Sequence, residues 1–251
     1  MDKIFTIFNI KPDDLVSITG SGGKTHLLFQ LANEINDFGE KLLTTTSTKM
    51  QSDISKFCKN VVTNDYSNLH NAAPFPFIAG GQKNDKLLAP SIELIGSKFK
   101  TDLNATQALI FEADGSKEMP LKFYATHEPV LTGKETKKII VISLETLGEK
   151  FTLKNTHRLA ESGNFIYMNK IIDEYQIGSL LLKERGYIDS AKAKTGEVSI
   201  VFSGISKQEQ ILSAKKIALI VKEKYPHINF FVKGSLFGFY KKIYHRIEKL
   251  S

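Results

Sequence analysis

The sequence predicts an α/β protein with a mostly parallel sheet and helices on both faces. Short apolar runs alternate along the chain with longer segments of helical periodicity, which is the order of strands and crossover helices in a parallel sheet. Several of these runs are apolar throughout and do not alternate with polar residues. That composition is expected of strands that are covered on both faces of a sheet.

The apolar runs are predicted as strands and the periodic segments between them as helices. The predicted strands are residues 15–19, 41–46, 60–64, 76–80, 108–113, 138–144, 164–169, 198–203 and 228–233. The predicted helices are residues 24–38, 90–99, 173–185 and 206–224. Asp173 and Ser206 are suitable N-caps for the last two helices. In the last helix, one helical face is expected to carry Ile211, Leu212, Lys215, Ala218 and Leu219.

The composition excludes several classes of protein. No window approaches the ~18 consecutive apolar residues that a membrane-spanning helix needs. The N-terminal segment becomes acidic too early for a secretory signal. Cys58 is the single cysteine, so an internal disulfide and a cysteine-rich metal cluster are both excluded. We therefore expect a cytoplasmic protein with no membrane partner, in which Cys58 is a buried structural thiol.

The positive charge of the chain favours an anionic ligand without identifying it. The formal net charge is +7, and basic residues are locally dense in KKIYHRIEKL, residues 241–250. We predict that this segment is a solvated amphipathic helix. No RNP, zinc-finger or basic-zipper pattern accompanies it, so nucleic acid is a less favoured partner than a small anion.

Three glycines stand directly before a lysine and a threonine after the first predicted strand. Glycines cost stability in a fold interior, so Gly20, Gly22 and Gly23 indicate a turn in which the backbone itself must approach a ligand. A strand, a glycine-rich turn, Lys-Thr and a helix form a P-loop, whose backbone N–H groups bind phosphate. Ile18 stands where the long form of the motif has its first glycine, which leaves the shorter G-x-x-G-K-T. The fold is thus predicted to be P-loop NTPase-like.

Each residue of this segment has a predicted role. Gly20, Ser21, Gly22 and Gly23 are expected to hold the phosphates of ATP or GTP through their backbone. Lys24 is expected to reach the β- and γ-phosphates, and the hydroxyl of Thr25 is expected to bind Mg²⁺. Since no other segment so clearly specifies a ligand, this is the main functional prediction.

Two further strand ends carry polar residues that are expected at the same sheet edge. The run ALIFEADGS ends in Glu112 and Asp114, as strands do that carry the acids of a magnesium site. We expect Asp114 to bind Mg²⁺ and Glu112 to orient a water or nucleophile. The run TTTSTKM, residues 44–50, offers hydroxyls and Lys49 for Mg²⁺ or phosphate, or else it is a strand end with turn chemistry.

Residues downstream of Asp114 are candidates for contacts with a second substrate. His127 can transfer protons near neutral pH, and Lys122 can hold an acidic group. His157 and Arg158 can add positive charge near a developing phosphate anion. Asn169, Lys170 and Asp173 are one residue too widely spaced for a guanine-reading motif, which favours a helix cap at Asp173.

The chain resembles the YqeC family in several segments. These are GSGGKT (20–25), TTTSTKM (44–50), EADGSKEMPLKFYATHEPV (112–130), LGEKFTLKNTHR (147–158) and NK (169–170). The resemblance implies an accessory protein for selenium-dependent molybdenum hydroxylases that takes part in selenium cofactor biosynthesis. It also implies the molybdenum or selenium cofactor, or the hydroxylase apoenzyme, as a partner. It does not supply a reaction.

The predicted function is therefore that of a Mg²⁺-dependent nucleoside-triphosphate-binding protein, an NTPase or an NTP-dependent transferase or ligase. Hydrolysis can drive a chaperone, or phosphoryl transfer can activate a small acidic substrate as in ATP-dependent ligases. The alternative is a binding module without turnover that holds a phosphorylated pterin or dinucleotide cofactor. One domain over residues 1–251 is predicted. A division near residue 150 would leave a nucleotide-binding core, 1–150, and a C-terminal extension or lobe, 151–251.

Overall fold

The computed structural model describes residues 7–36, 42–51, 54, 58, 61–63, 76–97, 108–161, 163–193, 197–234 and 243–247. The strands are β1 (Leu15–Gly20), β2 (Leu42–Thr46), β3 (Met50–Gln51), β4 (Val61–Thr63), β5 (Phe77–Ala79), β6 (Gly81–Lys83), β7 (Lys86–Leu88), β8 (Ala108–Glu112), β9 (Leu121–Lys122), β10 (Lys137–Ser143), β11 (Thr156–His157), β12 (Glu197–Ile205), β13 (Asn229–Gly234) and β14 (Ile243–Arg246). The helices are α1 (Lys24–Asn36), α2 (Ile92–Gly96), α3 (Glu174–Leu182), α4 (Tyr187–Ser190) and α5 (Gln208–Lys222). The chain is an α/β protein whose longer strands are mostly parallel.

The described residues form two compact units that interleave along the chain. The first unit is drawn from Met1–Ile18, Lys24–Gly115 and Val130–Lys137, and the second from Thr19–Gly23, Ser116–Pro129 and Lys138–Ser251. The prediction of one domain, with its alternative division near residue 150, stays a prediction.

The first unit contains five strands in the order β1-β8-β2-β5-β4, and each neighbouring pair is parallel. β1, β2 and β8 are buried along their whole length, which explains their uninterrupted apolar and β-branched sequences. β8 lies between the other two, so Glu112 at its end is in register with Ile18 of β1 and Thr46 of β2. This order places the end of β8 beside the end of β1.

The second unit contains β10, β12, β13 and β14, in that order across the sheet. β12 and β13 are parallel, and β14 pairs with β13 in the antiparallel direction. One large apolar cluster forms its core, with members from Leu121 on β9 to Val232 on β13. The helix α5 packs on this core through residues spaced as one helical face: Ala214, Ile217, Ala218 and Val221.

The structure confirms most of the predicted elements and corrects others. The predicted strand at 164–169 is wrong, because Phe165–Tyr167 forms a single 3₁₀ turn. Phe165 and Ile166 are 62% and 65% exposed, so their apolar character does not report a sheet position. The amide N–H of Tyr167 donates to the Asn164 carbonyl, and that of Met168 donates to the Phe165 carbonyl. These short-range bonds replace the ladder bonds of a strand.

The C-terminal segment is also different from the prediction. Ile243–Arg246 is the strand β14, so the helix predicted over 241–250 is wrong there, while residues 241–242 and 248–250 lie outside the described residues. Ile243 and Tyr244 are residue types that favour strands, and the edge of β13 supplies their hydrogen-bond partners.

Helix ends and faces differ in detail from the prediction. The side chain of Asp173 caps α3 as predicted, because its carboxylate accepts from the amide N–H of Gln176 at 2.8 Å. Lys207, not Ser206, is the N-cap of α5. Leu212 and Leu219 are exposed, so the predicted face of this helix is wrong at these two residues, whereas Ala218 is buried and Ile211 packs against the core. In the described part of the chain, no helix is long and apolar enough to cross a membrane.

Candidate functional site

The glycine-rich turn after β1 has a backbone that only glycine adopts easily. Gly20, Gly22 and Gly23 have φ values of +102°, +79° and +116°. A Cβ on Gly20 would lie 2.0 Å from the carbonyl oxygen of Val141, and one on Gly22 would lie 2.4 Å from the Cβ of Ser143. The amide N–H of Ser21 donates to the Val141 carbonyl at 2.9 Å. The turn therefore lies directly against β10, within the second unit.

The side chain of Ser21 is engaged by the protein itself. It is fully buried, and its hydroxyl donates to the Pro120 carbonyl at 2.8 Å. The hydroxyl of Tyr187, at the start of α4, lies 2.9 Å from the Ser21 oxygen and accepts from the Lys122 amide N–H at 3.0 Å. The turn is thus bonded directly to Pro120, just before β9, and through Tyr187 to Lys122 of β9.

Lys24 and Thr25 follow the turn and meet both predicted acids, within the first unit. The Lys24 ammonium lies 3.5 Å from a Glu112 carboxylate oxygen and 3.4 Å from an Asp114 oxygen. The hydroxyl of Thr25 donates to the other Glu112 oxygen at 2.7 Å. Lys24 is 3% exposed and Asp114 is fully buried, so this charged group is shielded from water. The structure brings these four predicted residues together.

Backbone pairing explains why the acids meet at this point. β8 ends at Glu112, and the Ala113 amide N–H donates to the Ile18 carbonyl at 2.9 Å. The Val130 amide N–H then donates to the Ala113 carbonyl at 2.9 Å, which holds the segment that passes Asp114. Among the described residues there is no group of three or more His, Cys, Asp or Glu side chains arranged for a metal ion.

Burial and charge act in opposite directions on this group. Burial disfavours the ammonium form of Lys24, but the charges of Asp114 and Glu112 outweigh it and raise its pKa. Burial raises the pKa of Glu112, and the Lys24 charge and the Thr25 hydrogen bond offset only part of that rise. The ionised form of Glu112 therefore depends on the positive charge of Lys24.

The hydroxyls of residues 44–48 mostly bind backbone carbonyls. Thr44 donates to Pro76, Thr45 to Ile78, Thr46 to Glu112 and Ser47 to Val130. Of the two interpretations left open by the sequence, these contacts favour the strand end with turn chemistry. Lys49 is exposed.

A second charged cluster lies in the second unit and contains three of the predicted substrate residues. The fully buried ammonium of Lys122 lies 3.0 Å from a Glu128 oxygen. Arg158 donates to both Glu128 oxygens, at 3.2 Å from Nε and 3.0 Å from a terminal nitrogen. His157 is in register with Lys122, because β9 and β11 are parallel. An acidic ligand of Lys122 or Arg158 would compete with the Glu128 carboxylate.

The charges of this cluster set the protonation of its members. Burial favours the protonated form of Glu128, but hydrogen bonds from Arg158 and the charge of Lys122 lower its pKa to about 2. Burial and the positive charges of Arg158 and Lys122 lower the pKa of His157 to about 4. His157 is therefore neutral at physiological pH, and Glu128 is ionised.

The predicted proton-transfer residue His127 directly precedes Glu128 of the second cluster. It is exposed, and its side chain makes no hydrogen bond or ion pair with the described residues.

The structure also adds residues that sequence reasoning did not assign. The hydroxyl of Ser203 donates to the Gly22 carbonyl, and Lys233 approaches Gly23. Glu128 joins Lys122 to Arg158. Glu128 lies in the Thr-His-Glu-Pro segment, which is part of one of the family-like segments. Nothing in the sequence indicated a role for Ser203 or Lys233.

The fold and these contacts define an α/β protein with a glycine-rich turn and a buried lysine–carboxylate cluster. The family model for the YqeC protein matches residues 16–160, and the chain belongs to the YqeC family. The chain is 31% identical over 155 residues to the uncharacterized protein YqeC of Escherichia coli strain K12, over 60% of this chain and 60% of that relative. No solved structure matches the chain.

Proposed function

We propose that this protein binds a nucleoside triphosphate with Mg²⁺ at Gly20–Thr25, Glu112 and Asp114. The observation that carries the proposal is the grouping of Lys24 and Thr25 with both acids, directly after three glycines whose φ values are positive. A lysine, a hydroxyl and carboxylates following a glycine turn are the groups that a triphosphate and its metal require. No other group in the described residues combines these chemistries.

The donor set of this cluster fits Mg²⁺. Thr25, Glu112 and Asp114 offer hydroxyl and carboxylate oxygens, the ligands that this hard cation prefers. Thr25 and Asp114 would hold the ion, and Glu112 would orient a water or nucleophile. When bound, the ion neutralises charge on the phosphate oxygens.

The protein's own residues supply the rest of the proposed site. Lys24 would exchange its carboxylate contacts for phosphate oxygens, while Mg²⁺ would replace its charge beside the acids. This exchange would keep the buried carboxylates compensated in both states, which a buried ionised group requires. Backbone N–H groups of Gly22, Gly23 and the first turn of α1 would contact the phosphates, whereas the Ser21 N–H already donates to the Val141 carbonyl.

The biological role that we propose follows from the family resemblance. The nucleotide would be used in the maturation of a selenium- or molybdenum-containing hydroxylase, whose cofactor or apoenzyme would be the partner. Turnover with release of phosphate would make the protein an NTPase. Tight binding of a phosphorylated pterin without phosphate release would instead make it a cofactor-binding module.

The first experiment measures thermal stabilisation by ATP, GTP and CTP, each with and without Mg²⁺. A ligand held at 100 times its Kd adds about 2.7 kcal/mol to the free energy of unfolding. We expect a Mg²⁺-dependent shift with at least one nucleotide, and phosphate release in a parallel assay.

The matched variants are Lys24→Met and Lys86→Met. Lys24→Met is expected to abolish the shift, whereas Lys86 is an exposed lysine of the same unit and its substitution should leave the shift intact. No shift with any nucleotide in the wild-type protein would contradict the proposal, and so would a shift of equal size in Lys24→Met.

A further inference from the structure

We infer that Lys233 is a phosphate-binding lysine at the glycine-rich turn Gly20–Gly23 of the second unit, supplied by the part of the chain beyond the family match. This inference rests on the proposed function, because it assigns a residue to the same triphosphate. Lys233 lies near the end of β13, and a Cβ built on Gly23 would be 3.8 Å from its Nζ. The ammonium therefore lies against the last glycine of the turn.

The side chain of Lys233 is held in this position and does not extend into solvent. It is 6% exposed, which is rare for a lysine unless its charge is paired, and it makes further contacts with the protein that hold it there. Its neighbour Val232 belongs to the apolar core of the second unit, so the backbone of β13 is anchored beside it. A lysine ammonium fixed at a phosphate-binding turn is a strong ligand for a phosphate oxygen.

The neighbouring strand, β12, has a bulge at the point where it contacts the same turn. The register between β12 and β13 shifts between Phe202 and Ile205, which marks a bulge at Ser203 and Gly204. Bulges redirect side chains, and here the Ser203 hydroxyl donates to the Gly22 carbonyl. Gly204 has φ +69°, and a Cβ on it would lie 2.4 Å from the Ser143 hydroxyl oxygen. The ends of β10, β12 and β13 therefore all contact the turn.

These contacts give Lys233 a role different from that of Lys24. Lys24 meets the metal-binding acids in the first unit, whereas Lys233 meets the turn itself in the second. A triphosphate carries more negative charge than one lysine and one Mg²⁺ neutralise, and Lys233 supplies a further positive charge at the turn. It should therefore select for triphosphates over monophosphates.

The test compares Lys233→Met with Lys233→Arg and with Lys207→Met, an exposed lysine of the same unit that is 71% exposed. The probes are the nucleotide that most stabilises the wild-type protein, its monophosphate, and inorganic tripolyphosphate, each titrated by calorimetry. Lys233→Met should weaken the triphosphate and tripolyphosphate by about 10-fold or more, the effect of losing one hydrogen bond to a charged group. The monophosphate should change by less than about threefold.

The controls separate this inference from the proposed function. Lys233→Arg should retain most of the affinity, and Lys207→Met all of it. If Lys24→Met abolishes binding while Lys233→Met leaves every Kd unchanged, the proposed function stands and the inference is overturned. If the wild-type protein binds neither nucleotide nor tripolyphosphate, both are overturned.

A second measurement covers the case in which Lys233→Met does not fold. Lysine acetylation of the wild-type protein is followed by mass spectrometry with and without tripolyphosphate. The ligand should slow modification of Lys233 at least about threefold more than that of Lys122, a fully buried lysine of the same unit, since a bound phosphate occupies the ammonium whereas stabilisation of the fold slows both lysines. Equal rates at Lys233 in the two samples would overturn the inference.

Discussion

Glu128 contacts both cations of the second charged cluster, Lys122 and Arg158, so its charge should matter more than that of either partner. Glu128→Gln leaves the buried Lys122 without the carboxylate that it contacts at 3.0 Å. Removal of one member of a buried ion pair costs about 3–5 kcal/mol. We expect Glu128→Gln to lower the free energy of unfolding by about 3 kcal/mol, measured by urea denaturation.

Lys122→Met is the matched comparison for this prediction. In that variant Glu128 keeps both of its hydrogen bonds from Arg158. The loss should therefore be at least about 1 kcal/mol smaller than in Glu128→Gln, because the remaining carboxylate stays paired with a guanidinium. Equal losses in the two variants would show that Glu128 does not join the two cations.

His157 should make the protein less stable as the pH falls below neutrality. Its pKa is about 4 in the folded chain and ordinarily 6.5, so the unfolded chain takes up the proton first. The contribution of neutral His157 is complete above pH 6.5 and is lost as the pH falls towards 4. One such group changes the free energy of unfolding by at most about 1.4 kcal/mol per pH unit.

The variant His157→Gln should flatten this dependence between pH 6.5 and 4. Urea denaturation at half-unit intervals measures the slope. The exposed His227 provides the control, and His227→Gln should keep the wild-type slope. If the wild-type and His157→Gln slopes coincide over this range, the lowered pKa of His157 is wrong.

At the scale of elements, sequence periodicity was sufficient where a segment is buried on the sheet. The runs that became β1, β8, β10 and β12 are apolar because both faces are covered, and each was predicted within about two residues. The run at 164–169 has a similar apolar composition but is exposed, and exposure cannot be read directly from a sequence. The strand at 243–246 was missed for a related reason, because its partner is the edge of β13 and charge alone suggested a helix.

In the candidate site too, residues that are close together in the sequence were predictable, and residues from distant elements were not. Gly20–Thr25 are consecutive, and Glu112 and Asp114 directly follow a strand, so local rules were enough to select them. Ser203, Lys233 and Tyr187 come from separate elements whose proximity to the turn depends on strand order and on a bulge. No spacing in the sequence encodes these contacts.

The turn after β1 should tolerate a methyl group at Gly23 but not at Gly22. Alanine at either position has an unfavourable positive φ, which costs about 1–2 kcal/mol. Only at Gly22 does the new Cβ also meet backbone and side-chain atoms of Ser143, at 2.4 Å for the nearest. We expect Gly22→Ala to lower the free energy of unfolding by at least about 1 kcal/mol more than Gly23→Ala, in urea denaturation.

Gly115→Ala is the control for this pair, because its φ is not positive and a Cβ there meets no atom within 4 Å. It should change the free energy of unfolding by less than about 0.5 kcal/mol, as surface substitutions usually do. If Gly22→Ala and Gly23→Ala were equally destabilising, backbone strain and not contact with β10 would explain why glycine occupies both positions.

At the scale of the whole molecule, the segment shared with the family does not contain a complete core. The family model ends at residue 160, whereas the second unit draws its core from residues on both sides of that point. Before residue 160, the core residues of this unit are Leu121, Phe123, Tyr124, Ile140, Ile142, Leu144, Phe151 and Leu159. Their partners on α3, α5, β12 and β13 all come later in the chain.

In a fragment of residues 1–160, the remaining part of the second unit should therefore fail to fold. Each large side chain of this core that loses its covering costs about 1.5–3 kcal/mol, and several such losses exceed the 5–15 kcal/mol that holds a domain together. We expect the fragment to bind a hydrophobic dye that the full chain does not bind. A fragment that binds no dye would instead favour the alternative division near residue 150, with a nucleotide-binding core that is stable by itself. Nucleotide titration of the same fragment separates the two cases further, because a self-sufficient core would still show a Mg²⁺-dependent shift that Lys24→Met removes.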